Sequence, residues 1–265
     1  MKLSIIITTY DSRGLLRQLL RGLLRFPPKA EFEIIVVDNN SSDGTSEMME
    51  KEFQHIQYIR LQKNLGLAKG NNAGIKESKG EYLLILNPDI AVFEDEIDRL
   101  IHFMDQHPKA GVVAPQLLHP DKAIQLSTFI FPKWYIPILR RTPLGACPWA
   151  KKKLQQYIMK DWDHKESRMI DWILGAAMLI RKTALSQVGL QDEDFFLYFE
   201  DVDWCKRFWE KGFEVWYTPE SKFVHYHKRE SAESPGLKGI FSPLTKTHIR
   251  SWLTYLKKSS HKNNE

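Results

Sequence analysis

Leu3-Ser4-Ile5-Ile6-Ile7-Thr8-Thr9 and Glu33-Ile34-Ile35-Val36-Val37-Asp38 decide the fold. Both stretches are rich in β-branched residues and almost continuously apolar, the pattern of strands buried on both faces of a parallel sheet. Between them, Leu15 to Leu24 carries apolar residues at helical spacing, with Arg17, Arg21 and Arg25 interleaved. Pro27-Pro28 stops that helix. Strand, helix, strand is a βαβ unit with a right-handed crossover. Ligands of such sheets lie beyond the carboxyl ends of the strands. Thr8, Tyr10 and Asp38 stand at those ends.

Outward from this unit, Asp38-Asn39-Asn40-Ser41-Ser42-Asp43-Gly44-Thr45 is a polar turn that leads into a helix, with Ser42 or Asp43 expected as the cap. A carboxylate at the strand end, Asp38, can accept a hydrogen bond from the imide N–H of uracil or thymine. Ile56 to Leu61 reads as a third strand. Asn64-Leu65-Gly66-Leu67-Ala68-Lys69-Gly70-Asn71-Asn72-Ala73-Gly74 follows. It is neither a Walker loop nor a dinucleotide fingerprint, but its small residues would let a nucleotide approach the backbone closely. Glu81 to Asp89 is a fourth strand ending in a carboxylate. Asp89 either caps the helix that follows or offers a hard oxygen ligand to a divalent ion beside a diphosphate. Residues 97 to 107 read as a helix and Val112 to Pro115 as a strand.

From Gln116 to Arg168 aromatic residues alternate with Pro132, Pro137, Pro143 and Pro148, and periodicity is lost. This reads as a long, partly mobile insertion at the mouth of a site. Asp171 to Ile180 regains core character, and residues 182 to 188 form a short helix ended by Gly189. Then Phe195-Phe196-Leu197-Tyr198-Phe199 runs straight into Glu200-Asp201-Val202-Asp203. An apolar run carries these acids to a buried place, which costs several kcal/mol unless compensated. They read as the first turn of a helix, where the macrodipole favours acids, and as a position suited to a general base. Glu214 to Tyr217 is a short strand, followed by Lys222-Phe223-Val224-His225-Tyr226-His227. Phe241 to Lys258 mixes aromatic and basic residues, either a membrane-surface helix or a helix packed back on the domain.

The 265 residues suit one large α/β domain with an appendage, and 43% of them are hydrophobic, enough for a sizeable core. Cys147 and Cys205 form no metal or disulfide pattern. The first apolar run ends at Thr8, too short for a signal peptide. No apolar stretch reaches the roughly 18 residues of a membrane span. A net charge of +5 favours anionic partners, but no nucleic-acid signature accompanies it.

Taken together, these motifs resemble the inverting glycosyltransferases of family 2, with the GT-A fold, and most of all the bacterial rhamnosyltransferases of cell-surface polysaccharide assembly. The resemblance rests on Ser4 to Tyr10, Ile35 to Thr45, Asn64-Leu65-Gly66, Gly70 to Gly74, Asn87-Pro88-Asp89, Gly175-Ala176-Ala177, Phe196 to Asp203 and Val224-His225. Asp11 stands where the family usually has Asn. The resemblance implies an α/β, Rossmann-like, mostly parallel central sheet flanked by helices. The GT-A domain would span 1–231, with a nucleotide-sugar half at 1–115 and an acceptor half at 116–231 that includes the insertion at 116–168. A basic helical tail would occupy 232–265.

The resemblance also assigns roles. Asp201 would be the catalytic base, with Glu200 placing the acceptor or the base. Thr8, Tyr10, Asp38, Asn40, Asn64 and Asn71 would bind the nucleotide. Asp89 and His225 would hold Mg2+ or Mn2+. His227 remains the alternative ligand, because Lys228-Arg229-Glu230-Ser231 replaces the glycines the family places before its serine. Trp172, Gly175 and Ala176 would contact the acceptor. The donor would be dTDP-rhamnose or a UDP-sugar, and the acceptor a saccharide or polyprenyl-linked saccharide. The expected place is the cytoplasmic face of a membrane, by peripheral binding to an anionic surface, with no nucleic-acid partner. The alternatives are a nucleotidyltransferase making nucleotide sugars and a non-catalytic polysaccharide-assembly protein.

Overall fold

The computed structural model describes residues 1–226 and 242–261. The chain begins β1 (Leu3–Thr9), α1 (Arg13–Arg25), β2 (Phe32–Asp38), α2 (Thr45–Glu52), β3 (Gln57–Arg60), α3 (Leu67–Glu77) and β4 (Tyr82–Leu86). It continues through β5 (Ile90–Ala91), α4 (Glu96–Gln106), β6 (Ala110–Leu118), β7 (Ile124–Gln125), β8 (Thr128–Phe129), α5 (Ile136–Arg141) and α6 (Pro148–Tyr157). Then come β9 (Arg168–Met169), β10 (Trp172–Ile173), β11 (Ala177–Arg181), α7 (Lys182–Val188), α8 (Glu200–Glu210), β12 (Glu214–His225) and α9 (Pro243–His261).

The central sheet runs β3-β2-β1-β4-β11-β6-β12-β5. β3, β2, β1 and β4 are parallel, with Ile5 opposite both Ile34 and Leu84. β11 then enters antiparallel between β4 and β6, and β12 pairs parallel with β6. Strand residues alternate between two cores. Ile5, Ile7, Val36, Leu84 and Leu86 pack under α1, α2 and α4, while Ile6, Leu83, Ile85, Met178 and Ile180 pack under α3, α7 and α8. Helix α1 meets its core through Leu16, Leu19, Leu20 and Leu23. That is a one-faced helical stripe, and each such leucine contributes roughly 1.5–3 kcal/mol on burial.

Several expectations are corrected. Glycines 70 and 74 serve helix–sheet packing rather than nucleotide approach. A Cβ at Gly70 would lie 2.4 Å from Thr8 Cγ2, and one at Gly74 would lie 2.5 Å from Ile6 Cγ2. Neither Ser42 nor Asp43 stands at the N-cap of α2, which is Gly44 with φ 84°. Asp43 instead acts from one residue earlier, accepting from Thr45 N at 3.1 Å and from Arg13 N at 2.7 Å. Ser42 N donates to Asp11 Oδ1 at 2.7 Å, so Asp11 knits the β1 and β2 loops together.

The insertion is more ordered than its sequence suggested. Three of its prolines stand at the start of helical turns: Pro143 starts a 3-10 turn over Pro143–Ala146, Pro148 starts α6, and Pro137 stands second in α5. Ile136, Leu139, Ala150 and Tyr157 are buried, but segments of this length are too short for their period to show in sequence. The short strand expected at Glu214 to Tyr217 runs on to His225 as β12, with a register shift between Thr218 and Lys222 around Pro219. Helix α9 packs back on the α/β domain through Ser251, Tyr255 and half-buried Trp252, and turns Ile249 and Leu253 outward. His227, residues 228–231 and the boundary expected at residue 231 lie outside the described residues.

Candidate active site

Two consecutive non-glycine residues in the left-handed region, Tyr198 (φ 70°) and Phe199 (φ 69°), turn the chain sharply into α8. Such conformations cost on the order of 1 kcal/mol or more each and persist only where surroundings impose them. The turn delivers Glu200 and Asp201 as the first residues of α8, with 4% and 7% of their surface exposed. Asp201 Oδ2 accepts from Gly175 N at 3.0 Å, and Oδ1 accepts from Val202 N at 2.8 Å. Glu200 Oε2 is buried with no hydrogen-bond partner among the described residues. Burial raises the pKa of both carboxyls, and the neighbouring Asp201 charge adds to the rise at Glu200. The two backbone amides hold the rise at Asp201 in check. The third acid, Asp203, is engaged by Arg207 at 2.7 Å. The pair is therefore a proton-holding Glu beside an Asp that is more readily ionised, an arrangement suited to general-base work.

Gly175 is one of two adjacent residues that join this pair to the end of β4. Asn87 N donates to Ala176 O at 2.9 Å, while Gly175 N donates to Asp201. A Cβ at Gly175 would stand 3.3 Å from Asp201 Cβ, so only glycine fits without pushing the carboxylate. Asp89 lies three residues beyond β4 rather than at its end. Its Oδ2 is 3.2 Å from His225 Nε2, and its Oδ1 is buried without a hydrogen-bond partner among the described residues. Gln125 Oε1 meets His225 Nδ1 at 2.9 Å and orients the ring. Among the described residues no group of three or more His, Cys, Asp or Glu is arranged to hold a metal. An unpartnered buried carboxylate oxygen beside an oriented imidazole nonetheless fits a divalent cation whose remaining ligands come from phosphate and water.

The residues expected to bind a nucleotide divide into two groups. Tyr10 is 49% exposed, and Asn40 is exposed with φ 67°. Thr8, Asp38 and Asn71 are buried behind them. Thr8 Oγ1 donates to Asn71 Oδ1 at 2.7 Å. Asp38 accepts from Ser41 N at 2.8 Å and from Tyr58 OH at 2.6 Å. Asn64 Oδ1 accepts from Gly66 N at 3.0 Å and shapes the entry to α3. Gly66 (φ 89°) lies against Phe196: a Cβ there would meet Phe196 O at 2.3 Å. Leu67 N donates to that same carbonyl at 2.7 Å, which ties the loop that opens α3 to the acidic turn. Trp172 needs correction as an acceptor-binding side chain. It is 6% exposed, stacks on Phe129 with centroids 4.3 Å apart, and donates its indole N–H to Ile130 O.

Sequence reasoning missed the residues that hold these groups. Asn39 braces Leu65 N and Gly66 O, Tyr58 covers Asp38, and Gln191 binds Asn71 and Asn72. Asn39 stood inside a motif already read, and its burial separates it from Asn40. Tyr58, Gln125 and Gln191 carry no local signal, because each acts on a partner far away in sequence.

The sequence model described as glycosyl transferase family 2 matches residues 4–146. The chain is 25% identical over 252 residues to N-acetylglucosaminyl-diphospho-decaprenol L-rhamnosyltransferase of Mycobacterium tuberculosis, covering 88% of this chain and 78% of that protein. It is 26% identical to Rhamnosyltransferase WbbL of Escherichia coli, covering 95% and 91%. Among solved structures, GalNAc-T7 with UDP, GalNAc and Mn2+ is similar at TM-score 0.67 and 17% identity, over 94% of this chain and 48% of that one. Staphylococcus aureus TarS 1–349 in complex with UDP is similar at TM-score 0.57 and 19% identity, over 84% and 60%. The chain thus spans about half to three fifths of these two structures, and the likeness at such identity is one of fold.

Proposed function

The chain belongs to glycosyl transferase family 2, and from that premise we propose that it moves a sugar, with inversion, from a pyrimidine-diphosphate donor to a hydroxyl of a saccharide or lipid-linked saccharide. The observation that carries this reading is the link from Asp201 through Gly175 and Ala176 to the Asn87–Asp89 turn. It joins two carboxylates, Asp201 and Asp89, at one end of the sheet, where this reading needs a base and a group facing the diphosphate. The rhamnosyltransferase relatives support dTDP-rhamnose as the first donor to try, and a UDP-sugar as the second.

In this reading the donor's pyrimidine ring stacks on Tyr10, while Asn40 and Asn64 shape the loops beside it and Thr8, Asp38 and Asn71 support them from behind. Asp201 takes the proton of the acceptor hydroxyl as its oxygen attacks the anomeric carbon. The bond from that carbon to the diphosphate breaks on the opposite face. Glu200, carrying its proton, positions the acceptor or Asp201. Asp89 and His225 would hold a divalent cation, which stabilises the negative charge gathering on the departing diphosphate. General-base help of this kind is worth roughly a hundred- to ten-thousand-fold in rate.

We assign the acceptor to a membrane surface. The outward face of α9 presents Leu253, 55% exposed, and Ile249 among Lys246, Arg250 and Lys257. Trp134 and Trp149 of the insertion are also exposed. Each cation near an anionic leaflet contributes about 1 kcal/mol. Among the described residues no helix is long and apolar enough to cross a membrane, so docking would be peripheral. Sedimentation with anionic liposomes, weakened by salt and by Leu253→Glu, is expected; equal sedimentation of the variant would remove this face from the reading.

The deciding experiment is a screen of nucleotide-diphosphate sugars with a lipid-linked or synthetic acceptor, read by mass spectrometry. Acceptor-dependent release of dTDP or UDP, with an inverted anomeric centre in the product, is expected. Release from no donor, or a retained configuration, would overturn the proposal.

A further inference from the structure

The acidic turn is held from outside the catalytic core by helix α9. Ser251 Oγ donates to Leu197 O at 2.8 Å, although a helical serine usually satisfies its hydroxyl within its own helix or in solvent. The His248 ring lies 5.0 Å from the Tyr198 ring and 5.2 Å from the Phe199 ring. Its Nδ1 faces Arg141 of α5 at 2.8 Å. Tyr255 packs on Phe199 at 5.4 Å. Lys258 reaches both Asp192 and Asp194, at the start of the same segment. One face of α9 therefore grips the chain from Asp192 to Phe199, and its contacts centre on the two left-handed residues.

We propose that α9 is a positioning clamp for the catalytic pair, with Ser251 and His248 as positioning residues that keep the Tyr198–Phe199 turn strained and Asp201 on its Gly175 contact. The proposal rests on Asp201 being the base of the transfer reaction. A strained turn relaxes when the contacts that impose it are removed. Relaxation at Phe199 moves the first residue pair of α8, and a displacement of about 1 Å at a reacting group can cost on the order of a hundredfold in rate. The nucleotide-side loops touch the segment through Phe196 O, upstream of the turn, so donor binding is spared.

The test uses the full chain with Ser251→Ala and His248→Ala. Each is expected to lower kcat about tenfold or more while leaving donor KM and nucleoside-diphosphate affinity unchanged. Ser251→Thr, which keeps the hydroxyl, restores kcat. Hydrogen–deuterium exchange is expected to quicken across residues 196–203 in both Ala variants and to stay at the wild-type rate in β1, β2 and β4. Unchanged kcat in both variants, or unchanged exchange across 196–203, overturns the clamp. A parallel loss of donor affinity also overturns it, since that marks general destabilisation. If the wild-type chain turns over no donor, the functional reading fails, and the exchange measurement alone still decides the clamp.

Discussion

Glu200→Gln is expected to change the pH dependence of folding stability in a way that few single substitutions do. Burial, reinforced by the Asp201 charge, pushes the Glu200 carboxyl up to about 8 from an ordinary 4.5. Between those two values the folded protein binds a proton that the unfolded chain has released. Stability must then fall as pH rises through that window and level off above it. One pH unit corresponds to about 1.36 kcal/mol for a fully shifted group. From about pH 5 to about pH 8 the loss attributable to Glu200 is on the order of 4 kcal/mol. Glutamine has the same shape and no proton to lose. It still buries an amide where Oε2 had no partner, which costs roughly 1–3 kcal/mol at every pH. The diagnostic is therefore the slope and not the offset. Urea unfolding followed by tryptophan fluorescence, at several pH values across the window, gives both curves. The wild-type minus variant difference should fall by a few kcal/mol toward high pH. Parallel curves would refute the reasoning, because Glu200 would then share its proton occupancy with the unfolded chain.

Asp201→Asn should cut turnover by at least about a hundredfold with nucleoside-diphosphate affinity retained, as initial rates and calorimetry would report. The acid limb of the wild-type rate profile should lie above the ordinary carboxylate range near 4, because burial raises Asp201 and only its ionised form accepts a proton; a limb at about 4 would contradict the burial argument. Asp89→Ala should abolish the part of nucleoside-diphosphate affinity that depends on Mg2+ or Mn2+, and identical calorimetric affinity with and without the cation in both proteins would count against Asp89 as a ligand. Gly66→Ala forces a Cβ against Phe196 O at 2.3 Å and strains a positive φ, so it should lower the unfolding free energy from urea titration by about 1–3 kcal/mol, and a value within error of wild type would discount that contact.

The parallel half of the fold was legible because its strands are buried on both faces. Ile5-Ile6-Ile7 and Ile34-Ile35-Val36-Val37 must be continuously apolar when alternate residues face two cores. The acidic pair was legible because three carboxylates after an apolar run need a reason. What stayed hidden depends on distance in sequence or on facing. Gln125 orients His225 from 100 residues away, and Tyr58 covers Asp38 from 20. The irregularity around Pro219 hid how far β12 runs past Tyr217, since a bulge preserves pairing that the sequence pattern interrupts. The composition of α9 announced an amphipathic helix but not which face met the domain. Ser251 and His248 have the polarity of solvent-facing residues and are turned inward instead.

The place of β11 in the sheet governs the order in which a ribosome can deliver this protein. Strands β1, β2, β3 and β4 pair among themselves as soon as residue 86 is free, yet the far side of β4 waits for Ala177–Arg181. Strand β6 is made earlier but cannot fill the gap, because its neighbours are β11 and β12. Through roughly ninety residues of synthesis the nascent chain carries an open apolar strand, Tyr-Leu-Leu-Ile-Leu, with nothing hydrogen-bonded to that side. Such an edge is a template for other chains. A polypeptide released after residue 146, where the family match ends, would keep that edge permanently, so the segment most diagnostic of the family is also one that needs the remainder of the chain to stay in solution.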